Sequence, residues 1–175
     1  MELRDAFVKR KGRFRLLERS LEAACFAKAA PLLEVGCATG EGSAHLAALG
    51  YTRVTGVDID AEAIAQAREN CPGLRFVCAD ARSLPFAAGS FEGIISEAAF
   101  SVIDGKAEAA REYARVLAPG GLVLLHDFAA AAEHTHTQPG IPCLDGVQSM
   151  AGYRAVFGAA GFECACESEE YGEYI

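Results

Sequence analysis

A glycine turn between an apolar run and a helical pattern constrains this fold more than any other stretch. Residues 32–35, Leu-Leu-Glu-Val, predict a buried strand, and the apolar spacing of residues 44–49 predicts a helix. Gly36, Gly40 and Gly42 lie between them. Glycine permits positive φ angles and a close approach to the backbone, and the helix directs its first N–H groups into the same space. We therefore predict a strand–turn–helix unit that binds a polar ligand.

Strand and helix patterns alternate along the rest of the chain. Strands are predicted at 51–58, 74–78, 91–96 and 122–128 and from residue 161, and helices at 15–29, 61–70, 106–117 and near 150–157. Such alternation favours right-handed crossovers and a parallel sheet. We expect a single α/β domain with a doubly wound, mostly parallel sheet and a short C-terminal antiparallel edge. Residues 1–30 would form an N-terminal arm and helix that cap a ligand-binding domain of residues 31–175.

Charge and cysteine usage exclude several classes of protein. The formal net charge of −8 argues against a general nucleic-acid binder. Residues 1–19 are basic, and we expect them to lie over the opening of the site, with Phe7 and Phe14 making apolar contacts; a solvated terminus is the alternative. Seven cysteines without a secretory signal predict reduced thiols and a cytoplasmic protein. We expect no nucleic-acid or membrane partner.

The composition of the turn narrows the choice of ligand. A P-loop is excluded because no Lys-Ser/Thr pair follows the glycines, and the spacing Gly-x-x-x-Gly-x-Gly differs from the dinucleotide fingerprint. Glu34 precedes the first glycine by two residues and would repel a pyrophosphate. Its carboxylate would favour a cation such as an ammonium or a sulfonium. An ordinary tight turn is the alternative.

Two aspartates at predicted strand ends suit a nucleoside. Asp58 can accept hydrogen bonds from both ribose hydroxyls, and Ile59 can cover one face of an adenine. Asp80 can accept from the adenine amino group while the N–H of Ala81 donates to the ring. The position of Asp58 fits a nicotinamide dinucleotide equally well. A helix cap is the alternative for Asp80. A turn or helix cap is the alternative for Asp58, although that role suits neighbouring Asp60 better.

Several segments together resemble class I S-adenosylmethionine (SAM) methyltransferases between residues 32 and 169. They are the acidic glycine turn, Asp-Ala-Arg-Ser-Leu-Pro-Phe at 80–86 followed by Gly-Ser-Phe-Glu at 89–92, Ala-Arg-Val-Leu-Ala-Pro-Gly-Gly at 114–121, and Ala-Gly-Phe-Glu at 160–163. Ala38 departs from the family, which usually has a glycine there. The resemblance implies a Rossmann-like fold and SAM as cofactor, bound by Glu34, Gly36, Cys37, Ala38, Gly40, Asp58, Ile59, Asp80, Ala81 and Ser96.

The substrate is expected above the ends of the strands at 91–96 and 122–128. Glu97 and Phe100 would line the opening. His126 or Asp127 could serve as the base if the acceptor has a proton to lose, with buried structural roles as the alternative. His134, His136 and Cys143 in the following loop are further substrate candidates. Two histidines and a cysteine could bind zinc, but exposed loop histidines are the simpler interpretation and we expect no metal.

The leading hypothesis is a SAM-dependent methyltransferase that acts on a small molecule. Residues 143–148 also resemble a stretch of arsenite methyltransferases, so a metalloid or thiol methyltransferase is one alternative. Ser43 and Ala98 stand where those enzymes have further cysteines, and arsenite is therefore not expected as a substrate. A non-catalytic protein that binds SAM or a nucleotide is another alternative. Glu34 and the glycine spacing disfavour a nicotinamide dehydrogenase.

Overall fold

The computed structural model of the protein describes residues 14–130 and 146–168. The helices within these ranges are α1 (Arg15–Ala24), α2 (Glu41–Ala48), α3 (Ala61–Asn70), α4 (Lys106–Val116) and α5 (Met150–Ala159). The strands are β1 (Leu32–Val35), β2 (Val54–Asp58), β3 (Arg75–Cys78), β4 (Phe91–Glu97), β5 (Leu117–His126), β6 (Ala129–Ala130) and β7 (Gln148–Ser149). As the alternating pattern predicts, α2 connects β1 to β2, α3 connects β2 to β3 and α4 connects β4 to β5, whereas a loop without a helix joins β3 to β4.

Five strands form one sheet in the order β3-β2-β1-β4-β5, and every neighbouring pair is parallel. Glu34 on β1 pairs with Gly56 on β2 and with Ile95 on β4. The predicted doubly wound α/β fold is confirmed. The chain leaves β1 in one direction towards β3 and returns on the other side at β4. Ligands bind beside such a change of direction, at the carboxyl ends of the strands.

Helices cover both faces of the sheet. Leu17 and Leu21 of α1 and Leu46 of α2 pack with Leu32 and Ile95 on one face. The other face packs against α4 and α5, in a cluster that includes Leu33, Ile94, Phe100, Tyr113 and Tyr153. All four residues of β1 are buried, because an inner strand of a parallel sheet is covered on both sides.

Three element boundaries differ from the sequence predictions. The first helix ends at Ala24 and not near residue 29, because Cys25 adopts a left-handed φ of 51° while its N–H bonds the carbonyl of Leu21. β5 begins at Leu117, five residues early, and contains Pro119; a strand at the end of the sheet tolerates a proline. The last predicted strand is not found, since residues 162–168 form no strand in the described structure.

The first helix is attached to the body of the domain by its apolar face and by an aromatic contact. Leu17 is fully buried, and the ring of Phe14 stacks on His45 of α2 at a centroid distance of 4.2 Å. Residues 1–13 lie outside the described ranges, so the predicted placement of the basic arm stays a prediction. None of the helices within the described ranges is both long and apolar enough to cross a membrane.

Candidate functional site

The turn after β1 is fixed by backbone hydrogen bonds. The N–H groups of Gly36 and Cys37 both donate to the carbonyl of Val57, at 2.8 and 3.0 Å, and that of Gly40 donates to Cys37. Gly36 and Gly40 have φ angles of 76° and 91°, so the predicted need for glycine at these two positions is confirmed. The turn is thereby held against the end of β2, where Asp58 follows.

The three glycines make room for other parts of the protein. A Cβ at Gly36 would clash with Ala99, and one at Gly42 would clash with the carboxylate of Glu34. At Gly40 it would lie 2.9 Å from the ring of Phe76. The glycines were predicted to let another group come close to the backbone. At each of the three positions that group is a neighbouring side chain.

Glu34 lies beneath the first turn of α2. Its side chain accepts a hydrogen bond from the hydroxyl of Ser43 at 2.5 Å, and the residue is only 5% exposed. The partial positive charge of a helix N-terminus stabilises a carboxylate in this place. Glu34 thus holds α2 against β1, and a direct contact between Glu34 and a ligand cation stays a prediction.

Asp58 joins the end of β2 to the glycine turn. Its Oδ2 accepts from the N–H of Ala38 at 2.9 Å and its Oδ1 from that of Asp60 at 3.0 Å. Each carboxylate oxygen has two acceptor sites, so capacity remains for the hydroxyls of a ribose. Next to it, Ile59 is 67% exposed, the most exposed large apolar side chain of the described residues. A carboxylate beside an uncovered apolar side chain fits the sugar and base of a nucleoside.

Ala38 adopts a left-handed conformation with φ of 46°. This conformation is costly for any residue with a Cβ. The hydrogen bond from Ala38 to Asp58 is one of the contacts that hold it there. Cys37, next to it, is buried, and burial raises the pKa of its thiol well above the usual range.

Asp80 already has a partner. Both carboxylate oxygens accept from the guanidinium of Arg82, at 2.6–3.0 Å, and Oδ1 also accepts from the backbone N–H of that residue at 2.8 Å. These hydrogen bonds lower the pKa of Asp80. Asp80 therefore closes a turn with Arg82 and does not cap a helix, which was the alternative that the sequence offered. Asp60 caps α3 as expected, accepting from Glu62 and Ala63.

His126 lies between β4 and α1 at the end of β5. Its Nε2 is 2.7 Å from the hydroxyl of Ser20, and its Nδ1 is 3.5 Å from Oε1 of Glu97. The His126 side chain is 11% exposed and that of Glu97 is 19% exposed. Both ring nitrogens of His126 therefore face protein groups, and its role as a base stays a prediction.

Asp127 faces the loop that follows β4. Its Oδ2 accepts from the N–H of Ser101 and its Oδ1 from that of Phe128, both at 2.8 Å, and burial raises its pKa.

Phe100 in the same loop is fully buried. It was predicted to line the opening, and this is wrong because its ring packs between α4 and α5, 4.8 Å from the ring of Phe157.

Several predicted residues are not brought into a common site. Ser96 is fully buried on the face that carries α4. Ala81 is half-buried beside Asp80, and its contact with a ligand stays a prediction. His134, His136 and Cys143 fall outside the described residues, as does any zinc site built on them. Sequence reasoning missed Ser20 and Arg82, because a serine within a helix and an arginine in a loop carry no motif.

In a doubly wound sheet a ligand crevice is expected at the carboxyl ends of the strands where the strand order reverses, which here are the ends of β1, β2 and β4. It offers the acceptor oxygens of Asp58, the exposed side chain of Ile59, and the glycine turn with the N-terminus of α2 beside it. There is no lysine or arginine in residues 36–42, the turn itself, to bind phosphate. These residues fit the adenosine of SAM better than a pyrophosphate.

Comparisons with known proteins agree with this geometry. Residues 33–125 match the family described as "Methyltransferase domain". A phthiotriol/phenolphthiotriol dimycocerosates methyltransferase of Mycobacterium ulcerans is 36% identical over 105 residues, which are 58% of this chain and 39% of that protein. A fatty-acid O-methyltransferase of Mycolicibacterium smegmatis is 35% identical over 99 residues, 55% of this chain and 36% of that protein.

A solved structure extends the likeness to most of the fold. The putative methyltransferase of Haloferax volcanii, determined in complex with the Trm112 methyltransferase activator, superposes with a TM-score of 0.74 at 25% identity, covering 85% of this chain and 68% of that one. The chain spans about two-fifths of the length of the curated relatives it matches. With its parallel sheet, its acidic glycine turn and a family match over more than half of its residues, the chain belongs to the class I SAM-dependent methyltransferases.

Proposed function

We propose that this chain binds SAM in the crevice at the ends of β1, β2 and β4 and transfers its methyl group to a small molecule. The observation that carries the proposal is the position of Asp58. Its carboxylate is held by the N–H of Ala38 and has acceptor sites left, and the exposed Ile59 lies beside it. A ribose on Asp58 and an adenine on Ile59 would satisfy both residues.

SAM supplies an electrophilic methyl group on a positively charged sulfur. The residues of the chain have to hold the cofactor and direct that group towards the acceptor, since methyl transfer depends on alignment more than on acid–base chemistry. The glycine turn brings the backbone of residues 36–38 next to the end of β4, where the acceptor would enter. Ala81 would donate its N–H to the adenine ring, and Asp80 would accept from the amino group in place of one of its hydrogen bonds from Arg82.

Two relatives and one exposed apolar side chain support a class of acceptor. One relative is named for the O-methylation of fatty acids and another for methylation of phthiotriol dimycocerosates. Val102, in the loop after β4, is 45% exposed and apolar. We propose an acceptor with an apolar body and a hydroxyl or carboxyl oxygen, which makes arsenite a poor substrate.

Calorimetry with S-adenosylhomocysteine tests the cofactor site. Asp58→Ala removes the ribose acceptors and should weaken binding by about 1.5–3 kcal/mol, the value of hydrogen bonds to a charged group. Asp60→Ser is the matched control, because serine keeps the α3 cap while removing a carboxylate two residues away. Equal affinities for wild type and Asp58→Ala would remove Asp58 from the site.

Turnover distinguishes an enzyme from a binding protein. Formation of S-adenosylhomocysteine should require SAM together with a member of a panel of fatty acids, long-chain alcohols and phenols. Tight binding of SAM without turnover on the whole panel would favour the non-catalytic alternative. Binding of a nicotinamide dinucleotide in place of SAM would overturn the proposal.

A further inference from the structure

Three polar side chains from three different elements form a row that ends at the crevice. Ser20 lies within α1, His126 ends β5, and Glu97 ends β4. The distances are 2.7 Å from the Ser20 hydroxyl to Nε2 of His126 and 3.5 Å from Nδ1 of His126 to Oε1 of Glu97. Glu97 and His126 are register partners on parallel strands, so their side chains lie on the same face of the sheet.

Glu97 is the member of the row that reaches the crevice. Ser96 pairs with Val35 in the register of β1 and β4, which places Glu97 level with Gly36 in the glycine turn. Ala99, two residues after Glu97 in the sequence, contacts Gly36. The carboxylate of Glu34 on the same face is buried beneath α2, whereas that of Glu97 is partly exposed.

The position of the proton on His126 follows from its neighbours. Nδ1 has no hydrogen bond to the described residues and faces a carboxylate oxygen. A bare nitrogen lone pair in this place would repel an ionised Glu97, whereas an Nδ1–H would be attracted to it. Nε2 is then free to accept the hydroxyl proton of Ser20. The favoured arrangement is a hydrogen bond donated by the Ser20 hydroxyl to Nε2 and an Nδ1–H that faces the carboxylate of Glu97.

We propose that Ser20 and His126 are positioning residues that orient the carboxylate of Glu97 towards the acceptor. This inference rests on the proposed function and deepens it. As the acceptor oxygen bonds to the methyl group, its O–H bond breaks and the proton passes to Glu97, while the electron pair of the sulfur–methyl bond stays on sulfur. Because Ser20 belongs to α1, docking of α1 on the sheet and orientation of Glu97 are coupled.

Nitrogen-15 NMR of the imidazole groups tests the row without cofactor or substrate. At neutral pH the His126 signals, assigned by their loss in His126→Asn, should show a protonated Nδ1 and an acceptor Nε2. Ser20→Ala should move them towards a mixture of tautomers, and Ser20→Thr should restore them. Glu22→Ala, an exposed position on the same helix, is the matched control and should leave them unchanged.

Kinetics with any acceptor that turns over adds a second measurement. Glu97→Gln should lower kcat about 100-fold, the scale of general base catalysis, and Ser20→Ala about tenfold. Both should keep the wild-type affinity for S-adenosylhomocysteine. A protonated Nε2 in the wild-type protein, or a Ser20→Ala variant with wild-type tautomer and kcat, would overturn the inference. If no acceptor turns over, the proposed function fails while the NMR result still decides the role of Ser20.

Discussion

Replacement of Ala38 by glycine should stabilise the protein although it removes a side chain. Ala38 has φ of 46°, and an L-residue with a Cβ pays about 1–2 kcal/mol for the left-handed region. Glycine avoids this cost but gives the unfolded chain more freedom, which opposes folding by about 0.4–1 kcal/mol. The difference leaves a net stabilisation of up to about 1.5 kcal/mol, and close to zero at the lower limit.

Urea denaturation with two comparison variants measures this difference. Ala98→Gly, at a φ of 49°, should behave like Ala38→Gly. Ala65→Gly, at an exposed position inside α3, should destabilise by about 1 kcal/mol because its φ suits alanine. With a slope of about 1–3 kcal/mol per molar urea, Ala65→Gly should lower the midpoint by about 0.3–1 M, whereas Ala38→Gly should leave the midpoint unchanged or raise it. A loss for Ala38→Gly as large as that for Ala65→Gly would refute the assigned conformation.

Three further substitutions test contacts around the site. Gly42→Ala should lower the stability by more than about 1 kcal/mol and disturb α2, because its Cβ would collide with Glu34; circular dichroism melting measures it. Phe100→Ala should destabilise by about 3–5 kcal/mol, the usual cost of a buried phenylalanine, whereas a residue lining the opening would change stability little. Glu112→Gln removes a carboxylate whose pKa the hydrogen bonds from Arg115 lower. A carboxylate whose pKa is lower in the folded than in the unfolded protein stabilises the fold above its unfolded pKa, and this stabilisation is lost as the pH falls. The wild type should therefore lose more stability than the variant on acidification below about pH 4.5.

The sequence predicted the sheet well because its signal is repeated in every strand. The apolar runs of β1, β2 and β4 and the glycine positions at 36 and 40 follow from rules that act within a few residues. The start of β5 was missed because residues 119–121, Pro-Gly-Gly, normally end an element, and only a strand at the end of the described sheet accommodates them. The early end of α1 depends on Cys25, a residue type that gives no helix-stop signal.

Roles of single polar residues were harder to predict because they depend on which face of a strand a side chain occupies. Glu34 precedes the glycine turn in sequence, yet alternation along β1 directs it beneath α2, while Glu97 on the same face emerges at the end of β4. A one-residue difference in where a strand ends decides whether a carboxylate supports a helix or meets a ligand. On this face of the sheet the partly exposed carboxylate is therefore the one that ends β4, next to the histidine that the sequence placed on β5, and under our proposal that histidine acts through Glu97.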